Sequence, residues 1–363
     1  MPLSRRTFSL AFPLGQLWAQ SPSRLSPIRR FIDNSTDVEV LCLSDPEQAA
    51  SLPNAYHRAA ARRQGFVVYS LAGPQGTQIV RIDLKGGLLK PLTNSPSVHP
   101  RAFALSPDDR TLYFASEERL YTTATGGLGR PRELYRATTP ETWERGFSLA
   151  DNGASLVFFE GPKLQSLNLK LAGKAAVRTL AESDPASVHP QIGKSGSVFW
   201  QDATGGLHLL QPTAAPRPQA LTLPGTLASA YWNPDGQSII FLRTNQGRGI
   251  ANSLHEYSLA TGKETLVGKT SQFASFHRNG DSSVFLGASA SKAQPYVLLM
   301  LRVTRRELAL CEHKATDPAQ VSPQFSADSK RIFFQSDRLG KSAIFTVNVE
   351  KLVEETAEEE KKS

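Results

Sequence analysis

Seven short runs of consecutive apolar residues recur along the chain: "FVVY", "TLYF", "SLVFF", "SVFW", "SIIFL", "SVFL" and "RIFF". Their first core residues are Val67, Leu112, Leu156, Val198, Ile239, Val284 and Ile332, at spacings of 45, 44, 42, 41, 45 and 48 residues. Six of them follow turns of related chemistry, "SPDDR", "ADNGA", "GKSGS", "NPDGQ", "RNGDS" and "SADSK". Asp, Asn, Gly and Pro there supply the backbone angles of a tight hairpin. Apolar residues at successive rather than alternate positions mean strands covered on both faces. A period in the low forties with several such strands predicts an all-β chain folded as a seven-bladed β-propeller. A stacked β-sandwich would not require seven near-equal spacings.

Six repeats end in a further strand: "KPLTN", "RELYR", "VRTLAE", "QALTL", "ETLVG" and "ELALC". The last repeat, residues 320–349, has none, while "DVEVLCLS" at residues 37–44 stands alone before the first. Pairing the two closes the ring and removes two sheet edges open to aggregation. The expected domain is therefore residues 37–349, with seven four-stranded blades closed by an N-terminal strand. Residues 350–363 form an acidic tail, expected as a frayed helix or disorder.

The first 20 residues place Arg5-Arg6 before a short apolar stretch, the pattern of an export signal; "SRRTFSL" resembles a twin-arginine leader. That stretch is too short for a membrane span. The expected location is periplasmic or secreted. The formal charge is +8. The leader carries two arginines and the tail six Glu against three Lys, so the body holds about nine excess positive charges, an attraction for polyanions. Export argues against nucleic acid, leaving acidic oligosaccharide or another envelope protein as partner of a monomer. Cys42 and Cys311 suit neither a disulfide framework nor a zinc site and read as separate, semi-buried thiols.

Propeller ligands favour the central channel, entered by the loops before the innermost strands. Three such loops are near-copies: "NSPSVHPRAF", "SDPASVHPQI" and "TDPAQVSPQF". They place His99, His189 and Ser322 at matching positions, and "NAYHRAA" adds His57. His277 ends an inner strand and His313 lies between blades six and seven. Imidazoles gathered at an axis suit a metal or acid–base cluster; a repeated His-Pro turn serving only packing is the other reading. Arg58, Arg62, Arg63 and Arg101 on a channel rim suit carboxylates. His255-Glu256, on an alternating strand, reads as an exposed cross-strand pair.

With "TDVEVLCLSD" and "YHR" near one end and "QVSPQFSADSKRIFFQSDRLGKSAIFTVNV" at the other, the chain resembles the oligogalacturonate lyases within the broad TolB-type (WD40-like) propeller group. That resemblance implies seven blades. It also implies a divalent metal, typically Mn²⁺, on three histidines and a glutamine, removal of the proton alpha to a uronate carboxylate, and elimination of the 4-linked sugar. Residue by residue the pattern departs. The family's Gln-x-x-His-x-His falls on Asp317, Gln320 and Ser322, and its His-Glu-Gly segment on residues 243–247. His277 is the remaining candidate metal ligand. The expectation is a binding propeller without a cofactor, with His57, Arg58, Arg62, Arg63, His99, Arg101, His189 and Gln320 as ligand-binding residues. The alternatives are a divergent Mn²⁺-dependent lyase recruiting those histidines and a TolB-like envelope interaction protein.

Overall fold

A computed structural model of the chain describes residues 24–26, 28–63, 65–95, 97–171, 176–184, 186–213, 216–245, 251–350 and 352. The leader and almost all of the acidic tail lie outside the described residues. The strands form seven antiparallel sheets, one per repeat. The inner strands of blades two to six are Val98–Leu105, Phe147–Leu149, Val188–Ile192, Thr226–Trp232 and Phe273–Arg278. Blade one begins with Ala50–Ser51 and blade seven with Gln324–Phe325.

The consecutive apolar runs are second strands, and their successive side chains enter different cores. Val67 and Tyr69 pack with Phe333 and Ile344 of blade seven, whereas Phe66 and Val68 pack with Phe103 and Phe114 of blade two. Val157 and Phe159 likewise join Val198 and Trp200, while Phe158 joins Ala104 and Ala115. Each blade interface thus has its own cluster. Full burial of each large side chain contributes about 1.5–3 kcal/mol.

The hairpin turns obey one rule. Asp108, Asn152, Ser195, Asp235, Asp281 and Asp328 each accept, through a side-chain oxygen, the N–H two residues on. The residue between is left-handed: Asp109, Gly153, Gly196, Gly236, Ser282 and Ser329. This is the local side-chain chemistry that makes Asx and Ser turn formers.

Strand Glu39–Cys42 pairs antiparallel with Ala343–Asn348, in the register Val40↔Val347 and Cys42↔Phe345. Beyond the four strands read from the sequence, residues 24–32 add two more. Arg24–Leu25 pairs with the outer strand of blade one, and Arg29–Ile32 pairs with Glu39–Cys42 at the edge of blade seven. These residues span the seam between the first and last blades. Cys42 and Cys311 are not semi-buried: both are fully enclosed and free, and burial raises the Cys42 thiol to about 11.

His255 is not exposed either. It is 8% accessible and stacks on its cross-strand partner Phe241, as His208 stacks on Trp200. Its Nδ1 meets Glu264 Oε1 at 2.5 Å and its Nε2 meets Ser253 Oγ at 2.9 Å. Arg243 binds the other Glu264 oxygen at 2.8 Å. The network braces three strands of blade five.

Candidate functional site

Hydrogen bonds between neighbouring inner strands show that they run in one direction. Asn54 and His57 bond to the Arg101 and Phe103 carbonyls, and the Arg145 carbonyl and Ser148 hydroxyl bond to the His189 and Ile192 amides. Entry loops therefore gather at one mouth of the channel and hairpin turns at the other. Four inner strands slip register near their entry end, after Val98, Val188, Leu227 and Phe273. Such bulges re-aim side chains. His189 and Ser322 occupy matching positions in left-handed backbone, with φ of 52° and 47°.

Blade one goes further. Ser51 pairs with Ser70 and Ala60 bridges to Val67, so residues 52–59 oppose only 68–69. The surplus chain crosses the axis, and Ala55 and Tyr56 pack against the cluster that holds Tyr231 of blade five and Phe276 of blade six. Tyr56 stands edge-on to His57 and His189, with ring centroids 4.8 and 6.1 Å away. Its hydroxyl accepts from Asn54 Nδ2 at 3.0 Å. The channel is plugged rather than open.

Gly146 makes room for this plug. A Cβ there would collide with the Tyr56 hydroxyl and lie 3.2 Å from Asn54 Nδ2 and 3.6 Å from His189 Nδ1, at a φ of +82°. Gly146→Ala is expected to lower stability by about 2–3 kcal/mol, combining left-handed strain of ~1–2 kcal/mol with displacement of the plug. Gly126→Ala, with nothing near its Cβ, serves as control in urea titration. Equal midpoints for the two variants would place Tyr56 elsewhere.

Arg101 lies above the plug. Its Nη1 donates to Gln320 Oε1 and its Nη2 to Ser322 Oγ, each at 3.0 Å. Nε is buried without a partner. Among the described residues no carboxylate pairs with Arg101, and burial pulls its pKa below the ordinary arginine value. His189 Nδ1 is also buried and unpartnered. Burial, then the charge of Arg101, lowers His189 to about 4, so its ring is neutral at pH 7.

The other sequence candidates do not join this group. His57 is buried, its Nδ1 bonding the Phe103 carbonyl at 3.1 Å while its Nε2 accepts from the Leu149 amide. Arg58 pairs with buried Asp109 at 2.5 Å and bonds the Ala60 and Ser106 carbonyls. Arg62 and Arg63 are exposed in the first hairpin turn, where Asp109 caps the Arg63 amide. These three arginines belong to the opposite mouth from Arg101. The reason is the blade-one insertion, which is used up in crossing the axis before they are reached. His99 bonds the Glu117 carbonyl at 3.0 Å. His313 is fully buried and bonds the Ser289 carbonyl, away from the axis. His277 accepts from the Phe325 amide through Nδ1, and burial lowers it to about 3. Sequence reading missed Tyr56 and Asn54; their signal was the long "LPNAYHRAA" stretch between the first strand and "FVVY".

No group of three or more His, Cys, Asp or Glu among the described residues is placed to hold a metal ion. Gln320 and Ser322, which align with the lyase metal motif, already accept from a guanidinium. A divalent cation would compete with Arg101 for the same oxygens against its charge, so the residues present do not fit the metal.

No family model matches the chain, and no curated protein matches it. Solved structures do. An oligogalacturonate lyase in complex with manganese superposes with a TM-score of 0.79 at 15% identity, over 91% of this chain and 98% of that one. The oligogalacturonate lyase of Vibrio parahaemolyticus gives 0.78 at 13% identity, over 91% and 99%. Virginiamycin B lyase of Staphylococcus aureus gives 0.57 at 11%, over 88% and 98%. At these identities the likeness is one of fold: the chain shares the seven-bladed β-propeller of the oligogalacturonate lyases.

Proposed function

We propose that this protein is an exported propeller that binds a carboxylate-bearing ligand, an acidic oligosaccharide, at the plugged axial mouth around Arg101. The observation that carries this reading is the guanidinium itself, partly buried with its Nε enclosed, held by two neutral side chains and, among the described residues, paired with no carboxylate. Removing a cation from water without a counter-ion costs several kcal/mol, which a bound carboxylate would offset with charge-assisted bonds. Neutral Gln320, Asn54 and Tyr56 leave the charge of Arg101 free to act on the ligand. Export follows from the leader sequence. In this reading Arg101 takes over, as a fixed organic cation, the carboxylate-neutralising part that the metal plays in the lyases it resembles.

One observation favours a second reading, elimination from the same ligand. The unpartnered Nδ1 of neutral His189 lies beside Arg101 and within reach of the Tyr56 hydroxyl around Gly146.

Calorimetric titration with oligogalacturonates tests the site. Arg101→Gln is expected to weaken binding by about 10–100-fold, the effect of losing hydrogen bonds to a charged group. Arg101→Lys should recover only part, because the planar fork is lost. Wild-type affinity should fall as salt rises. Equal affinity in Arg101→Gln would overturn the proposal. Unsaturated product in ultraviolet absorbance, lost in His189→Ala, would establish the second reading instead.

A further inference from the structure

We propose a second binding site on the far side of the plug, where Arg278, Asp151 and Asn233 line one small chamber, for a small zwitterion of the α-amino acid class. The chamber measures about 100 Å³, and its walls include Tyr56, Asp151, Lys194, Asn233, His277 and Arg278. Tyr231 separates it from the upper site, close enough to feel the charges of both Arg101 and Arg278. The two sites thus share the plug and nothing else.

Arg278, Asp151 and Lys194 bring charge to this chamber. Arg278 Nε donates to the Trp232 carbonyl at 2.7 Å and Nη1 to the Asn279 carbonyl at 3.3 Å, which fixes the guanidinium. Burial lowers its pKa to about 10. Among the described residues it forms no ion pair; Asp151 and Asp235 reach it only through their fields. Asp151 and Lys194 form none either, although both line the same space. Asn233 Oδ1 is buried with no hydrogen-bond partner. One partly buried cationic fork, the exposed Asp151 carboxylate and the exposed Lys194 ammonium therefore line a cavity bounded above by tyrosine and histidine.

The chemistry of a ligand follows from that set. A carboxylate answers Arg278. An ammonium brings three donors and no acceptor, which suits the Asp151 carboxylate. Phosphate or sulfate would set two negative charges against Asp151. The space is small and opens to solvent beside exposed Asp151 and Lys194, so a compact molecule of roughly five or six heavy atoms suits it. Glycine and alanine meet all three conditions.

Calorimetry or saturation-transfer NMR near pH 7 with glycine, L-alanine, acetate and phosphate tests the site. Glycine is expected to bind saturably, with acetate and phosphate at least about tenfold weaker. Asp151→Asn and Arg278→Gln should each weaken glycine by about 10–100-fold. Arg101→Gln should leave it unchanged, which separates this site from the upper one. Arg278→Gln also removes a brace on blade five, so Asp151→Asn, at an exposed turn, decides if that variant fails to fold. Absence of saturable glycine binding, acetate binding as tight as glycine, or an unchanged affinity in Asp151→Asn would overturn the proposal.

Discussion

A chain that begins at Asp45 is expected to aggregate instead of yielding a stable monomer. The truncation removes Val40, Cys42 and Leu43, which are at most 1% accessible and pack with the last blade and the first. At about 1.5–3 kcal/mol per fully buried apolar side chain, that is several kcal/mol out of a total typically near 5–15. It also strips partners from buried backbone: the Ile344 amide loses Ser44 Oγ, and the Ile344 carbonyl loses the Leu43 amide. The freed edge at Ala343–Asn348 becomes a template for strand addition. A chain beginning at Asp33 keeps the closing strand and the Asp33 bond to the Glu312 amide and loses, among the described residues, only the mostly exposed residues 24–26 and 28–32, so its melting point should drop by a few degrees at roughly 1 kcal/mol. Size exclusion and thermal melting of both truncations check this. A monomeric Asp45 chain with the full-length melting point would refute closure by this strand.

Acidification from pH 7 to pH 5 should cost the fold roughly 3–4 kcal/mol through two histidines alone. Burial holds His57 and His277 near 3, against about 6.5 in the unfolded chain. Below pH 6.5 the unfolded state takes up protons that the folded state refuses, so stability falls as pH drops toward 3. Each histidine contributes about 2 kcal/mol at pH 5, at 1.36 kcal/mol per pH unit, with half-buried His277 giving somewhat less. The hydrogen bonds agree with the sign, because His57 Nε2 and His277 Nδ1 both accept from backbone amides and have no room for a proton. Urea midpoints at pH 7 and 5 measure the effect, and His57→Gln combined with His277→Gln should reduce it, leaving the share of His189. Midpoints in the wild type that do not change with pH would contradict the buried, neutral histidines.

The sequence by itself determined the ring. Strand periodicity, Asx-type turns and an unpaired terminal strand are local features, and each acts through hydrogen bonds within a few residues or through burial on both faces of one strand. Seven blades and the partner of Glu39–Cys42 followed from them. The site was legible only in part. Arg101, His189 and Gln320 stood out through the copied loops, because each lies within two residues of the position that His99, His189 and Ser322 share in the repeat. Their uncompensated charge and unpaired nitrogens did not, since those depend on what the neighbouring blade supplies. Arg58, Arg62 and Arg63 looked like rim residues alongside Arg101 yet belong to the other mouth. His57 looked like a ligand and is a buried brace. Both outcomes were decided by the one irregular blade, whose eight-residue stretch opposite two carries Tyr56 across the axis. A repeat fixes what every blade does alike; the plug and the two chambers it divides arise where one blade departs from the repeat and the others must pack around it.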